Sequence, residues 1–269
     1  IKVDVSRDGS SLSYAVTVGG DTLIAPSRLG FDGDGLTPAA DSKMTVKHSS
    51  FDQTWTQPWG ENKEIRNHYN EVAVTLTDAA LEYTVRVRAF DDGVAFRYEW
   101  NLVSGDSVIV RDELTEFAFA RPAMSWAIPA NFDTYELEYR NVAVDDVTDA
   151  NTPFTFEVDS AGIFGSIHEA ALYDYPEMTL VRTGGRTLKT NLAPLPDGVK
   201  AYLPSAFATP WRSIQLGKSA CDLINSGLIL NLNEPSKIAD TSWIKPQKYV
   251  GIWWGMHLGT MTWTMGPRH

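Results

Sequence analysis

The chain has 269 residues, 43% of them hydrophobic and 21% charged, which is enough apolar material for the full core of a soluble globular chain. Its formal net charge of −11 opposes phosphate backbones and anionic membrane surfaces, so nucleic acid and lipid head groups are set aside as partners. The single cysteine, Cys221, excludes an internal disulfide and a cysteine-rich zinc site, and it reads as a buried small hydrophobe.

From the start the pattern is one of strands and turns. Ile1 to Val5, Leu12 to Val18 and Val72 to Leu76 alternate apolar and polar residues, with turn formers close behind them at Asp8-Gly9 and Gly19-Gly20-Asp21. Tyr83 to Phe90 and Val94 to Trp100 flank Asp91-Asp92-Gly93 and read as a hairpin. Short strands are expected again at Thr155–Val158, Met178–Val181, Val199–Tyr202 and Leu228–Leu232. No helical periodicity runs beyond about three turns, so the expected architecture is all-β, a large antiparallel β-sandwich.

Two stretches between these strands carry dense polar and aromatic chemistry and are read as loops. Phe51 to Gly60 holds Trp55 and Trp59, and the following segment holds Arg66, Asn67 and His68. Ser125 to Glu136 holds Trp126 and Asn131. Sugar sites need flat aromatic surfaces for the C–H faces of the ring and planar polar groups for its hydroxyls, and both stretches supply the two together. Each aromatic taken singly can equally fill space between sheets.

In the stretch Gly162 to Leu172, read as a strand, Ile163, Gly165, Ile167 and Glu169 share one face, which is apolar until its last member. A carboxylate there needs a cation, a donor or open water. Glu169 reads either as an Arg-paired or solvated strand end, or as a metal ligand.

The last forty residues change character. Asn233–Lys237 and Ser242–Pro246 read as a linker, and Tyr249 to Met256 is apolar on both faces, as in a buried parallel strand. No apolar run is long enough to span a bilayer. The chain lacks an initiator Met and stops directly after the apolar segment, as expected of a piece cut from a larger protein. We therefore divide it into a sandwich over 1–240 and, over 241–269, a linker with the first strand of a truncated barrel.

Trp55-Thr56-Gln57-Pro58-Trp59-Gly60, Arg66-Asn67-His68-Tyr69-Asn70-Glu71, Ile128-Pro129-Ala130-Asn131, Ile167-His168-Glu169-Ala170, Asn231-Leu232-Asn233-Glu234-Pro235 and Gly251-Ile252-Trp253-Trp254-Gly255-Met256-His257 together resemble the amino-terminal part of glycoside hydrolase family 97. The resemblance implies a β-supersandwich of the galactose-mutarotase type, packed on a (β/α)8 catalytic barrel. It implies calcium as cofactor, with Glu169 as the one ligand from the sandwich and the others from the barrel, beyond His269. An oligosaccharide or α-glucoside substrate, inverting chemistry and a periplasmic or secreted bacterial location are further implications. The catalytic carboxylates of the resembling enzymes come from later barrel strands, so no acid or base is nominated here and the chain alone is expected to be inactive. Trp254 and His257 fall at the end of the first barrel strand that would face the active site, where His257 donates either to a sugar hydroxyl or to a structural partner. Three alternatives stay open: a retaining α-galactosidase of the same family, a stand-alone carbohydrate-binding sandwich, and a mutarotase-like isomerase using His168 and Glu169.

Overall fold

The computed structural model describes residues 1–249 and 253–260. In chain order the strands run β1 (Lys2–Asp8), β2 (Ser11–Val18), β3 (Asp21–Leu29), β4 (Phe31–Gly33), β5 (Lys43–Thr56), β6 (Glu64–Thr77), β7 (Leu81–Phe90), β8 (Gly93–Leu102), β9 (Ser107–Glu113) and β10 (Glu116–Phe119). They continue as β11 (Met124–Ala127), β12 (Arg140–Ala143), β13 (Asp149–Asn151), β14 (Phe154–Val158), β15 (Ile163–Ala170), β16 (Met178–Gly184), β17 (Thr187–Leu192), β18 (Ala201–Pro204), β19 (Ala206–Ala208) and β20 (Trp211–Gly217). Three one-turn helices follow: α1 (Ala220–Ile224), α2 (Leu228–Leu232) and α3 (Trp253–His257). The chain divides into two compact units, one of 1–55 with 64–234 and the other of 56–63 with 235–269.

The first unit is a large antiparallel sandwich. A seven-stranded sheet runs β1-β2-β3-β10-β17-β16-β13, a larger one runs β12-β11-β14-β15-β20-β8-β7-β6-β5 with β19 also on β8, and a small sheet is β18-β9-β4. The two large sheets pack face to face through aromatic side chains. Tyr14 of β2 lies 4.7 Å from Phe96 of β8, and Phe119 of β10 meets Phe156 of β14 edge-on at 4.8 Å. Alternation explains the central strands: Tyr83, Val85 and Val87 of β7 and Val94, Phe96 and Tyr98 of β8 are buried in one core. These two strands form the expected hairpin, closing at Phe90 opposite Gly93.

Four expectations need correction. Leu228–Leu232 is the helix α2, not a strand, and its buried residues Leu228, Asn231 and Leu232 have the i, i+3, i+4 spacing of one helical face. The barrel strand expected around Tyr249 to Met256 is not seen among the described residues: Trp253–His257 is helical, and Val250 to Ile252 lie outside them. A lone strand has no neighbour for its backbone groups, whereas a helical turn pairs them internally. Cys221 is exposed, because it lies on α1, none of whose residues is buried. The first supposed loop is largely strand, as Trp55 lies on β5 and Arg66 to His68 on β6, whereas in the second only Ser125 to Ala127, with Trp126, lie on β11 and the rest is loop as expected.

Candidate functional site

Glu169 lies at the end of β15 directly opposite Arg212 at the start of β20. Residues facing each other across an antiparallel pair project to the same side, so both turn inward. From the small sheet, the end of β9 brings Glu113 to the same place. The three charges are almost wholly removed from solvent, with Glu113 and Arg212 at 0% exposure and Glu169 at 8%.

The guanidinium is shared unequally. Arg212 donates Nε to Glu113 Oε1 at 2.9 Å and Nη2 to Glu113 Oε2 at 2.6 Å, a bidentate fork, and Nη1 to Glu169 Oε2 at 2.7 Å. Glu113 also accepts from Thr115 Oγ1 at 2.8 Å and from Tyr175 Oη at 2.9 Å. Each carboxylate oxygen takes about two hydrogen bonds, so Glu113 is saturated. Glu169 accepts only one further donor, the Met178 N–H on Oε1 at 3.1 Å. Each of its oxygens keeps an open acceptor position.

The electrostatics follow this division. Burial pushes the Glu113 carboxyl up, but the Arg212 charge and the hydrogen bonds of Arg212, Thr115 and Tyr175 outweigh burial and hold it below the ordinary carboxylate range. Burial also pushes Glu169 up, and there Arg212 and the Met178 N–H offset only part of it, so its pKa stays above the ordinary value. A third carboxylate, Glu177, stands beside Met178 and accepts from Tyr135 Oη at 3.1 Å. Burial, then the charge of Glu177, pushes the Tyr135 hydroxyl up to about 12, with a smaller contribution from Glu169.

Among the described residues no group of three or more His, Cys, Asp or Glu converges to hold a metal. What the triad could offer a cation is a single hard oxygen donor, the carboxylate of Glu169 with its unfilled acceptor positions. Calcium takes six to eight oxygens, so one carboxylate is a contribution to such a site and not the whole of it. The adjacent His168 does not converge on Glu169: its Nδ1 lies 3.1 Å from Thr152 Oγ1, and burial, then Arg212, holds its pKa below the ordinary value. That division is what opposite faces of a strand require, and it leaves the mutarotase-like pairing without its geometry.

The hairpin residues assemble separately. Along the large sheet β6 is four strands from β15, about 19 Å at the usual strand spacing. Trp55 donates its indole N–H to Asn231 Oδ1 at 2.9 Å, and Asn231 Nδ2 donates to the Arg66 carbonyl at 2.9 Å. The Arg66 side chain forks onto Asp52 at 2.7 and 2.8 Å. Asn67 Oδ1 and His68 Nδ1 have no hydrogen-bond partner, and the 3.5 Å between His68 Nδ1 and Asp91 is too long for a good one. As neighbours on β6 they face opposite sides. The next turn of chain ties this hairpin back to β15: Asn233 Oδ1 accepts the N–H of Ala171, the residue with φ of +53° that ends the strand bearing Glu169.

Trp126 is half-buried on β11 between Asn141 and Thr155. Asn131 turns its own loop, with its N–H on Asn151 Oδ1 and its Oδ1 accepting the Asp133 N–H. In the second unit Trp59 is 61% exposed and Trp254 70% exposed, while His257 Nε2 accepts the Trp253 indole N–H within α3. The sequence singled out neither Arg212 nor Glu113, and Asn231 and Asn233 stood in a family motif without an assigned role.

A crystal structure of a beta-arabinopyranosidase superposes with a TM-score of 0.71 at 21% identity over 80% of this chain and 38% of that one, a likeness of fold alone. The family model described as Glycosyl-hydrolase 97 N-terminal matches residues 1–235, and the chain belongs to that family as its amino-terminal region. A glycoside hydrolase family 97 enzyme from Pseudoalteromonas sp. strain K8, solved in complex with panose and with acarbose, is 42% identical with a TM-score of 0.88 over 97% of this chain and 41% of that one. A retaining alpha-galactosidase of Bacteroides thetaiotaomicron is 25% identical over 91% of this chain and 42% of its own length. A probable retaining alpha-galactosidase of Streptomyces bingchenggensis is 28% identical over 94% and 39%. The chain thus spans about two-fifths of the relatives it matches.

Proposed function

We propose that the protein to which this chain contributes its amino-terminal region is an inverting, calcium-dependent α-glucosidase. The substrate reading is supported by the 42% identity to the enzyme bound to panose, a sugar of α-linked glucose units, against 25% and 28% to the relatives named as α-galactosidases. A periplasmic or secreted bacterial location belongs to the same proposal.

The observation that carries the calcium part is the unequal saturation of the buried carboxylates: Glu113 has four donors, Glu169 has two. A desolvated carboxylate with open acceptor positions calls for a cation, and a strand end is where a neighbouring domain can bring the remaining oxygens. When bound, calcium would supply positive charge beside the developing charges of glycoside cleavage. Glu169 would hold it from this side, and the hairpin around Trp55, Arg66, Asn67 and His68, with Trp126 and Asn131, would form pocket walls. Trp59, Trp254 and His257 of the second unit are proposed for the same role.

The test is to assay the full-length protein on p-nitrophenyl α-glucoside and α-galactoside, with calcium and with a chelator, following the first-formed anomer by NMR. The expected result is glucoside turnover, lost on chelation, with inversion. The names of the two α-galactosidase relatives favour a second reading, and galactoside turnover with retention would put it in place of the first.

A further inference from the structure

The triad places two carboxylates against one guanidinium, leaving a surplus negative charge that can be assigned to one residue. Glu113 has all its acceptor positions filled and lies deepest, so the surplus falls on Glu169, the outermost of the three. A guanidinium in direct contact with a metal-binding carboxylate would by itself repel a divalent cation. Here its charge is already balanced by the bidentate fork to Glu113.

We infer that Arg212 and Glu113 are positioning residues for the cation site at Glu169. Arg212 Nη1 fixes the rotamer of Glu169 through Oε2 and the Met178 N–H fixes Oε1, which leaves one acceptor position on each oxygen for the cation. Glu113 cancels the Arg212 charge, so that Glu169 meets the cation as a full carboxylate. Tyr175 and Thr115 hold Glu113 in turn, and Thr115 is bonded to Tyr98 Oη at 2.6 Å. A supporting shell of this kind changes metal affinity without touching the metal. The inference rests on the calcium reading above.

The test titrates calcium calorimetrically into the full-length protein and reads thermal unfolding with and without calcium. Glu113→Gln leaves Arg212 unbalanced and is expected to weaken calcium binding about tenfold or more while Glu169 is intact. Arg212→Met combined with Glu113→Met removes both charges of the pair, is expected to fold because no unpaired cation or second carboxylate remains, and still weakens binding about tenfold, since Glu169 loses its orienting donor. A purely structural role would shift unfolding in the absence of calcium and leave the affinity alone. If the unaltered protein binds calcium and the folded double variant stays within about twofold of it, the inference is overturned and the calcium reading stands. If the unaltered protein takes up no calcium, both fall.

Discussion

Glu169 and Arg212 face each other in the register of β15 and β20, joined by a 2.7 Å ion pair that a third strand, through Glu113, completes. This places three charges inside a sandwich otherwise held by aromatic and aliphatic packing. Removing Arg212 alone would strand two carboxylates in the interior. We expect Arg212→Met to cost about 3–5 kcal/mol in chemical denaturation, part of which the double change with Glu113→Met restores, since only one of the two stranded carboxylates is then removed. A loss under about 1 kcal/mol for the single change would mean that water reaches the triad.

Trp55 has a structural partner whatever else it does. Trp55→Phe keeps an aromatic ring and removes the indole donor to Asn231, a residue only 8% exposed, and should cost about 1–3 kcal/mol in urea unfolding. Trp59 is exposed and its change to Phe should leave stability unaltered. The fluorescence response of the full-length protein to maltose or acarbose separates the two roles: if it survives Trp→Phe at 55, 59, 126 and 254 alike, the aromatic-wall reading is wrong.

On the outer face of the large sheet, Glu71 accepts from Arg86 at 2.6 Å and from Arg88 at 2.8 Å, and Arg88 stacks over Tyr69 and Trp211 at 4.3 and 4.5 Å. Burial pushes the Glu71 carboxyl up, and the hydrogen bonds of Arg88 and Arg86 with their charges outweigh it, so its folded pKa lies below the ordinary 4.5. A lowered folded value means that the unfolded chain binds the proton first as pH falls. The stabilisation is therefore complete above about pH 4.5 and is lost as pH drops through the folded value. Unfolding measured from pH 7 downward should show a shallower acid decline in Glu71→Gln than in the unaltered protein.

Gly165 is the one point on β15 where a side chain has no room. A Cβ there would run into the ring of Phe156, which is fully buried in the strand beside it. Gly165→Ala should destabilise by about 1–3 kcal/mol, and Phe156→Leu should recover part of the loss in the double variant.

The central hairpin of β7 and β8 was legible because its two faces alternate and its turn is marked by Asp91-Asp92-Gly93. β5 was not: as an edge strand exposed along nearly its whole length, it carries no apolar phase to read. Glu169 stood out by breaking the apolar row of β15. Arg212 offered the same signal, lying in phase with buried Ile214 and Leu216 on β20. Glu113 did not, because Val108 and Val110 set the inward phase of β9 and an irregularity where β9 pairs with β4 then turns Glu113 inward against it. The triad is closed by contacts 43 and 99 residues apart in the chain, which no local spacing could announce.

The 269-residue chain by itself should hydrolyse no glycoside. Two carboxyl groups must flank the scissile bond, and the inward carboxylates described here are engaged by Arg212. Turnover of p-nitrophenyl α-glucoside by the purified chain, persisting after removal of host glucosidase, would contradict this.

The most direct measurement is a calorimetric titration of calcium into the full-length protein and into its Glu169→Gln variant, with the folded state of both checked by thermal unfolding. The account predicts saturable binding to the unaltered protein and a loss of at least about tenfold in affinity on replacing one carboxylate oxygen by an amide. Equal affinity in the two folded proteins would remove Glu169 from the site and contradict the account.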